Sequence, residues 1–349
     1  AVASYQSDED VSRLKKVLSE SGLKVATFNG FPQGDFHQKR VKEQVYLPTW
    51  AEKKRLNYSL DLARLLAAIL PEEQSEGTIS TVPLGYRLGW DNASHTKACK
   101  YLVHYAQKAA NVEKLTGKKI RLCLEMEPGC VLERTQQVVD LFKHDLRRAA
   151  RAEFVDQGLI DRYLGVCYDV CHQAVMQEDI VDSVTALANA GVVIGKVQLS
   201  SAMKVLTPGD SGSREILSEY AEPKYLHQLS TINSASKKDD FVFCDDLSLA
   251  LEDVNFPTTS PWFIHYHVPI QLESIQENKV LTTQKDILEL CSVLGMLDYA
   301  PHLEVETYTW NVLPNVEQVN GQGFNLAKGL ADELSWMTSV LDKYSLLRA

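Results

Sequence analysis

Acidic, imidazole and amide side chains follow five apolar runs of the sequence, where the strands of a parallel sheet would end. The five groups are Glu125 with Glu127, Asp169 with His172, Lys196 with Gln198, His265 with His267, and Glu304 with Glu306. Carboxylates two residues apart in a strand face the same side. Several carboxylates aimed at one place raise each other's pKa unless a cation compensates them. Since Lys196 is the one cation borne by these runs, the pattern favours a bound divalent metal.

A mixed set of carboxylate, imidazole and amide ligands suits Mn²⁺, Mg²⁺, Fe²⁺ or Zn²⁺, and the sequence leaves that choice open. Single residues have simpler interpretations. Asp169 is equally suited to be the N-cap of the helix that follows it. Cys130, Cys167 and Cys171 lack the paired spacing of a thiolate zinc site, so buried packing is the favoured interpretation for them.

Short β-branched or apolar runs alternate with amphipathic stretches along most of the chain, which predicts an α/β fold with a parallel sheet. Strands are predicted at residues 24–28, 78–82, 120–124, 164–168, 192–199, 262–267 and 302–308. Outer helices are predicted at residues 60–70, 95–115, 134–148, 180–190 and 326–341. Because reactive groups sit at the carboxyl ends of strands in a (β/α)₈ TIM barrel, this barrel is the predicted fold, one strand short of eight.

Two segments interrupt the alternation within what we predict to be a single barrel domain spanning residues 1–349. Residues 29–50 are rich in aromatic side chains and predict a loop over the barrel mouth. That loop is either a substrate-facing lid or a packed rim, and both alternatives remain open. Residues 207–260 predict an insertion that contains a hairpin.

Composition excludes several classes of protein. The net charge of -10 argues against nucleic acid as a partner. No apolar run is long enough for a membrane-embedded protein. Seven cysteines, an odd number, predict buried free thiols in a reducing compartment such as the cytoplasm. No motif supports nucleophilic-serine, P-loop or dinucleotide chemistry.

Longer motifs carry a resemblance to a known family. They are Asn29-Gly-Phe-Pro, Glu127-Pro-Gly-Cys130, Cys167-Tyr-Asp-Val-Cys-His172, Gly195-Lys-Val-Gln-Leu-Ser-Ser201, Tyr225-Leu-His-Gln228, His265-Tyr-His-Val-Pro269 and the segment from His302 to Trp310. Together they resemble the EboE "metabolite traffic" proteins, within the xylose-isomerase-like TIM barrels. The resemblance implies an additional N-terminal segment that would hold the first strand or two.

The resemblance also implies a set of functional residues. The implied metal positions are Glu125, Asp169, His172 and Glu306, with His265 and His267 as paired ligands and Gln198 where a ligand histidine is usual. The residues expected to contact substrate are Asn29, Phe31, His37, Glu127, Lys196, His227 and Glu304. The strand at residues 80–83 lacks the histidines of the related DNA endonucleases, which argues against a phosphodiesterase.

The function predicted from these features is that of a metal-dependent isomerase or epimerase for a small hydroxylated metabolite. Glu125 and Glu306 would exchange a proton with substrate carbon. The family association adds processing or export of a secondary-metabolite precursor. The alternative is a non-catalytic metabolite-binding or carrier barrel with a vestigial metal site.

Overall fold

A computed structural model describes residues 7–34, 41–234, 240–275, 279–314 and 325–347. The chain divides into two compact units. Unit 1 comprises Ala1–Phe36, Glu43–Tyr168 and Ala186–Val197. Unit 2 comprises His37–Lys42, Asp169–Thr185 and Gln198–Ala349.

Unit 1 contains a parallel sheet that the sequence predicts closely. Its strands are β1 Thr27–Asn29, β2 Glu76–Thr81, β3 Lys119–Glu125, β4 Leu164–Asp169 and β5 Ile194–Leu199. The strands lie in this order in the sheet, and β1–β2, β2–β3 and β3–β4 pair in parallel. The side chains of β3, from Ile120 onward, and of β4 are buried, as expected for strands with helices packed on the sheet. The last residue of β4 and the last two of β5 belong to unit 2.

The helices of unit 1 cover the predicted amphipathic stretches at residues 60–70, 95–115 and 134–148, and Asp8–Glu20 and Gly158–Tyr163 are helices that the sequence does not predict. The α-helices are Asp8–Glu20, Lys53–Ile69, Asn92–Thr116, Thr135–Asp140, Leu146–Ala152 and Gly158–Tyr163. Asp91 caps the helix Asn92–Thr116 by accepting the Ser94 backbone N–H at 2.7 Å, and Gly117 ends it at φ 71°. The stretch predicted as one helix at residues 134–148 is instead interrupted by a π-helical segment, Leu141–Asp145.

The aromatic segment at residues 29–50 is packed where the structure describes it. Phe31, Tyr46 and Trp50 are buried, and Lys42–Tyr46 forms a short 3₁₀ helix. Within unit 1, buried Arg55 donates to the carbonyl oxygens of Gly30, Phe31 and Pro48 and so fixes both ends of the segment. Residues 35–40, which include His37, lie outside the described residues. A movable lid here stays a prediction.

Unit 2 contains a second, antiparallel sheet that the sequence does not predict as a whole. Its strands are β6 Met203–Val205, β7 Leu229–Asn233, β8 Asp240–Cys244, β9 Trp262–Ile264, β10 Ser274–Ile275 and β11 Val280–Thr282, in the order β10-β11-β6-β9-β7-β8. The strand predicted at residues 262–267 therefore ends at Ile264 and belongs to this sheet. A short apolar run shows that a strand is buried but not which sheet it joins. The β7–β8 pairing is the expected hairpin, whereas the insertion around it stays a prediction.

The last strand, β12 His302–Val305, lies beside β5 in the parallel sheet. Within unit 2, the Glu306 backbone N–H donates to the Leu199 carbonyl oxygen at 3.1 Å. The described part of the parallel sheet thus has six strands, in the order β1-β2-β3-β4-β5-β12. Their alternation with helices confirms the predicted fold class, an α/β fold with a barrel-type sheet.

Unit 2 also contains the helices Val170–Val175, Ser211–Tyr220, Leu247–Glu252, Gln284–Leu294 and Leu326–Lys343, and the 3₁₀ helix Tyr308–Asn311. The helix Ile180–Asn189 begins in unit 2 and ends in unit 1. The core of unit 2 includes Tyr220, Trp262 and Tyr266. All seven cysteines are free thiols and six of them are buried, as predicted. Among the described helices, none has the length and apolar character that a membrane crossing requires.

Candidate metal site

Asp169 ends β4 and begins the next helix, and its two carboxylate oxygens have different surroundings. Oδ1 accepts the His172 backbone N–H at 2.9 Å and the Ser200 hydroxyl at 2.8 Å. The N-cap interpretation is therefore confirmed. Oδ2 is buried and has no hydrogen-bond partner within the described part of the chain. Because an unpaired buried carboxylate oxygen is costly, Asp169 is more than a cap.

His267 provides a second buried atom that could bind a metal, its ring nitrogen Nε2. Its Nδ1 lies 3.0 Å from the backbone carbonyl oxygen of Glu306, which can only accept, so Nδ1 carries the proton. The tautomer with its proton on Nδ1 has its lone pair on Nε2. That atom is buried and without a hydrogen-bond partner among the residues that the structure describes.

These atoms form part of a compact group of possible ligands in unit 2. Asp169, His172 and His267 each offer one ligand atom, and the three atoms lie within 4.8 Å of one another. The carboxylate oxygens of Asp169 and Glu306 also approach within 4.8 Å. All three members of the first group are buried, whereas Glu306 is partly exposed. The group is small enough for one ion to be shared by its members.

The charges in this group favour an ionised Asp169. Burial raises the pKa of the carboxyl, but His172 and His267 lower it, as do the hydrogen bonds from the His172 backbone and from Ser200. The net effect is a pKa below the ordinary value for aspartate. Asp169 therefore stays a carboxylate at neutral pH, which is the form that binds a cation.

A second possible ligand group in unit 2 consists of Cys171, His265 and His267. His265 is less suited to bind a metal, because both of its ring nitrogens already have partners. Nδ1 lies 2.8 Å from Gln228 Oε1, and Nε2 lies 3.0 Å from His172 Nε2. Burial and the neighbouring histidines lower the pKa of His265 well below its ordinary value, so the ring is neutral. The group with Asp169, His172 and His267 fits a metal better.

The donor set fits a divalent cation on the evidence of this unit alone. It combines a ligand atom of His172 with the Asp169 carboxylate and the His267 imidazole, each of which has one buried atom without a hydrogen-bond partner among the described residues. Imidazole and carboxylate together suit Zn²⁺, Fe²⁺ or Mn²⁺ better than Mg²⁺, which prefers oxygen ligands. Candidate metal-binding residues are therefore present, as the sequence predicts.

Unit 1 places two further predicted carboxylates at the end of β3. Glu125 is the last residue of that strand and is buried, in register with Cys167 of β4. Glu127 is also buried and accepts the Tyr46 hydroxyl at 2.8 Å. Burial and the charge of Glu127 raise the pKa of Tyr46 well above its ordinary value, so Tyr46 is a hydrogen-bond donor. The catalytic and metal-binding roles of Glu125 stay predictions.

Two more predicted substrate contacts, Asn29 and Lys196, meet in unit 1. Lys196 is fully buried on β5 and donates to the side-chain oxygen of Asn29 at the end of β1. The Ser80 hydroxyl donates to the same oxygen at 3.3 Å. The structure thus brings together a cation and two polar groups from three strands.

The remaining predicted residues are placed as follows. Phe31 is buried in unit 1. Gln198 is buried near the end of β5, and Glu304 is partly buried in β12. His227 is buried, with Nε2 2.9 Å from Glu222 and Nδ1 3.0 Å from the carbonyl oxygen of His265. Their proposed contacts with a metal or substrate stay predictions.

Sequence reasoning missed Ser200 and Gln228. Ser200 follows β5. Its hydroxyl donates to Asp169 Oδ1 at 2.8 Å and accepts the Cys171 backbone N–H at 3.0 Å. Gln228 precedes β7 and contacts His265. Both lie within motifs that carry the family resemblance. A serine is not among the predicted ligand types, and Gln228 does not follow a predicted strand.

A scan against protein-family profiles finds no matching family, and a search of curated proteins finds no matching relative.

Among solved structures, the chain is similar to a D-tagatose 3-epimerase-like protein. The match has 16% identity over 55% of this chain and 61% of that one, at a TM-score of 0.34. It is also similar to the 3-keto-D-glucoside 4-epimerase YcjR from E. coli in its apo form. That match has 16% identity over 54% of this chain and 64% of that one, at a TM-score of 0.33. The chain thus spans under two thirds of either structure. Membership of the EboE family stays a prediction.

Proposed function

We propose that the protein is a metal-dependent isomerase or epimerase that acts on a small hydroxylated carbonyl metabolite. The observation that carries this proposal is the group of buried ligand atoms from Asp169, His172 and His267, two of whose members have a buried atom with no other partner among the described residues. A cluster built only to stabilise the fold would satisfy those atoms with hydrogen bonds.

The proposed metal is a single divalent ion of the borderline class, Zn²⁺, Mn²⁺ or Fe²⁺, held by Asp169, His172 and His267 with Glu306 beside them. Such an ion supplies a Lewis acid that stabilises negative charge on substrate oxygens. Mg²⁺ is the least suited of the four metals that the sequence leaves open, because two of the ligands are imidazoles.

The protein's own groups would then move the proton. Glu306, with a carboxylate near that of Asp169, is proposed as one base that removes a proton from carbon next to the substrate carbonyl. Glu125 is proposed as the second carboxylate that returns the proton, as the sequence predicts. Lys196 and Asn29, already hydrogen-bonded to each other, are proposed to bind substrate hydroxyl groups.

The wider roles predicted from the sequence are part of this proposal. They are a small-molecule partner, a place in the processing or export of a secondary-metabolite precursor, and a cytoplasmic location. The support for them is the motif resemblance to the EboE proteins together with the buried free thiols.

The test is exchange of carbon-bound hydrogen with solvent. The metal-loaded protein is incubated in D₂O with a panel of ketoses and aldoses, and deuterium incorporation beside the carbonyl is followed by NMR. We expect incorporation into at least one sugar, lost on chelation and restored by Mn²⁺ or Zn²⁺. Glu306→Gln should lower the exchange rate by about 10² to 10⁴ while leaving metal bound.

A protein that binds metal and a sugar but exchanges no hydrogen in this assay would instead be the metabolite-binding barrel. Binding is measured by calorimetry with the same panel. A matched control is Glu289→Gln, which removes an exposed carboxylate of unit 2 and should leave exchange within threefold of the wild type.

A further inference from the structure

The outer side of the helix Asn92–Thr116 in unit 1 is basic. Its residues Lys97, Lys100, His104 and Lys108 are spaced three or four apart, so they lie along one side of the helix. The three lysines are exposed and His104 is partly exposed. These four residues, named here the basic stripe, extend over about 16 Å of the helix axis. In a chain with a net charge of -10, they form a local region of opposite sign.

One carboxylate, that of Glu153, meets the basic stripe. Its Oε1 lies 2.9 Å from Lys100 Nζ, and its Oε2 lies 2.9 Å from His104 Nε2. These contacts hold the end of the helix Leu146–Ala152 beside the stripe. Arg151, in the last turn of that helix, is also exposed. The three lysines and Arg151 outnumber this carboxylate, so the surface keeps a positive charge.

An exposed phenylalanine, Phe154, directly follows Glu153 and is 95% exposed. Its backbone has φ 55°, in the left-handed region where a helix usually ends in glycine. The turn is closed by the Val155 backbone N–H, which donates to the Ala150 carbonyl oxygen at 2.9 Å. A bulky side chain in this conformation is strained, and an exposed ring gains no packing in return. Packing within the fold therefore does not account for a phenylalanine here.

A second exposed apolar side chain, Leu115, lies on the same side of the helix as the basic stripe. It is two helical turns beyond Lys108 and is 85% exposed. Phe154 thus lies beside the stripe, and Leu115 lies beyond its end. Lysines next to projecting apolar side chains form the combination that binds the interface of anionic membranes.

Shape and charge together favour an anionic lipid surface over an acidic polypeptide. The stripe runs along the outside of one helix, and Phe154 and Leu115 project from the surface, whereas a peptide-binding groove encloses its apolar side chains. A bilayer can meet such a convex surface with its headgroups and admit the ring of Phe154 between them. The acidic remainder of the chain opposes this contact little, because charges are screened beyond about 8 Å at physiological salt.

We propose that the basic stripe, together with Phe154 and Leu115, docks the protein reversibly on an anionic membrane surface. Lys97, Lys100 and Lys108 attract the negatively charged headgroups, and the ring of Phe154 enters the headgroup region. This surface attachment is separate from the proposed metal chemistry and does not depend on it. Because a single attachment signal gives weak membrane binding, the contact should be reversible and sensitive to salt.

The test is co-sedimentation of the full chain with lipid vesicles. The vesicles contain either phosphatidylcholine alone or phosphatidylcholine with about 30% phosphatidylserine, at about 0.1 M salt. We expect binding to the anionic vesicles to be about tenfold or more stronger than binding to the neutral ones. Raising the salt to about 0.5 M should release most of the bound protein.

Two variants test the charged and the apolar parts separately. The double variant Lys97→Gln, Lys108→Gln should weaken binding about 20-fold, because each lysine near an anionic surface contributes about fivefold. Phe154→Gly removes the ring and should weaken binding about tenfold. Glycine also suits φ 55°, so this variant should melt at or above the wild-type temperature. Unfolding therefore cannot explain its loss of binding.

A matched control is the double variant Lys53→Gln, Lys54→Gln, which removes two exposed lysines of unit 1 outside the basic stripe. It changes the net charge equally and should leave binding within twofold of the wild type. The proposal is overturned if the wild type does not bind anionic vesicles, or if the control weakens binding as much as the stripe variant does. Binding of polyglutamate without binding of vesicles would also contradict it, and would assign the stripe to an acidic polypeptide.

Discussion

Two fully buried carboxylates of unit 2, Glu333 and Asp169, have opposite surroundings. Glu333 lies on the last helix and receives donors at both oxygens: the Thr307 hydroxyl at 2.5 Å, the Ile270 backbone N–H at 3.1 Å and the Trp310 indole N–H at 2.9 Å. Asp169 satisfies one oxygen and leaves the other without a partner among the described residues.

The electrostatic consequences also differ. Burial raises the pKa of Glu333 above its ordinary value, because its three donors are neutral and lower the pKa less. The pKa of Asp169 is lowered instead, since two histidines face it. The comparison indicates that Glu333 stabilises the fold, whereas Asp169 is arranged to hold a positive charge.

The largest expected effect comes from Asp169→Asn. Asparagine keeps the N-cap but loses the charge, so the affinity for Zn²⁺ should fall about 1,000-fold, more than loss of an outer-shell partner typically causes. The melting temperature of the metal-free chain should change by only a few degrees. Calorimetry and a thermal melt measure the two quantities. Equal metal affinity in variant and wild type would contradict the assigned role of Asp169.

Glu333→Ala should show the reverse pattern. Three buried donors lose their acceptor, so the free energy of unfolding should fall by about 3 kcal/mol in urea denaturation. Zn²⁺ affinity of the folded variant should stay within threefold of the wild type. If Glu333→Ala instead weakens metal binding as much as Asp169→Asn does, the distinction between the two carboxylates is wrong.

A smaller effect should appear in the pH dependence of stability. Because the folded pKa of Glu333 is raised, the folded state holds this proton more tightly than the unfolded state. The resulting stabilisation is complete below the ordinary glutamate pKa of about 4.3 and is lost as pH rises through the folded pKa. The unfolding free energy of the wild type minus that of Glu333→Gln should therefore decrease from pH 4 to pH 7. A difference that is flat or increasing would contradict this.

We expect the protein to have no activity on DNA. With a net charge of -10, the protein should neither bind nor cleave a duplex that contains an abasic site, even with Zn²⁺ at low salt. Cleavage is followed on a labelled duplex by gel electrophoresis. Robust, chelator-sensitive cleavage would replace the isomerase proposal with a nuclease.

The sequence predicts the parallel strands well because each is an apolar run bounded by turns and helices. It also predicts the groups at the strand ends, including Asp169 and His172. The antiparallel sheet was not predicted as a whole, since its strands are two to five residues long and too short for a period to be read.

Tertiary contacts account for the residues that sequence reasoning missed. Glu333 lies in the helix predicted from amphipathic spacing at residues 326–341, and its carboxylate accepts hydrogen bonds from Thr307 and Trp310, which are distant along the chain. Gln228 contacts His265 because β7 pairs with β9, a strand that lies about thirty residues further along the chain. Composition and spacing do not encode such pairings.

The most direct test of the central claim is the metal content of the purified wild-type chain, measured by mass spectrometry after growth with Zn²⁺, Mn²⁺ and Mg²⁺ supplied together. We expect about one Zn²⁺ or Mn²⁺ per chain. A chelator should remove this metal and lower the melting temperature, and adding either ion should restore both. A chain that retains no metal, and whose melting temperature responds to neither chelator nor added ions, would contradict it.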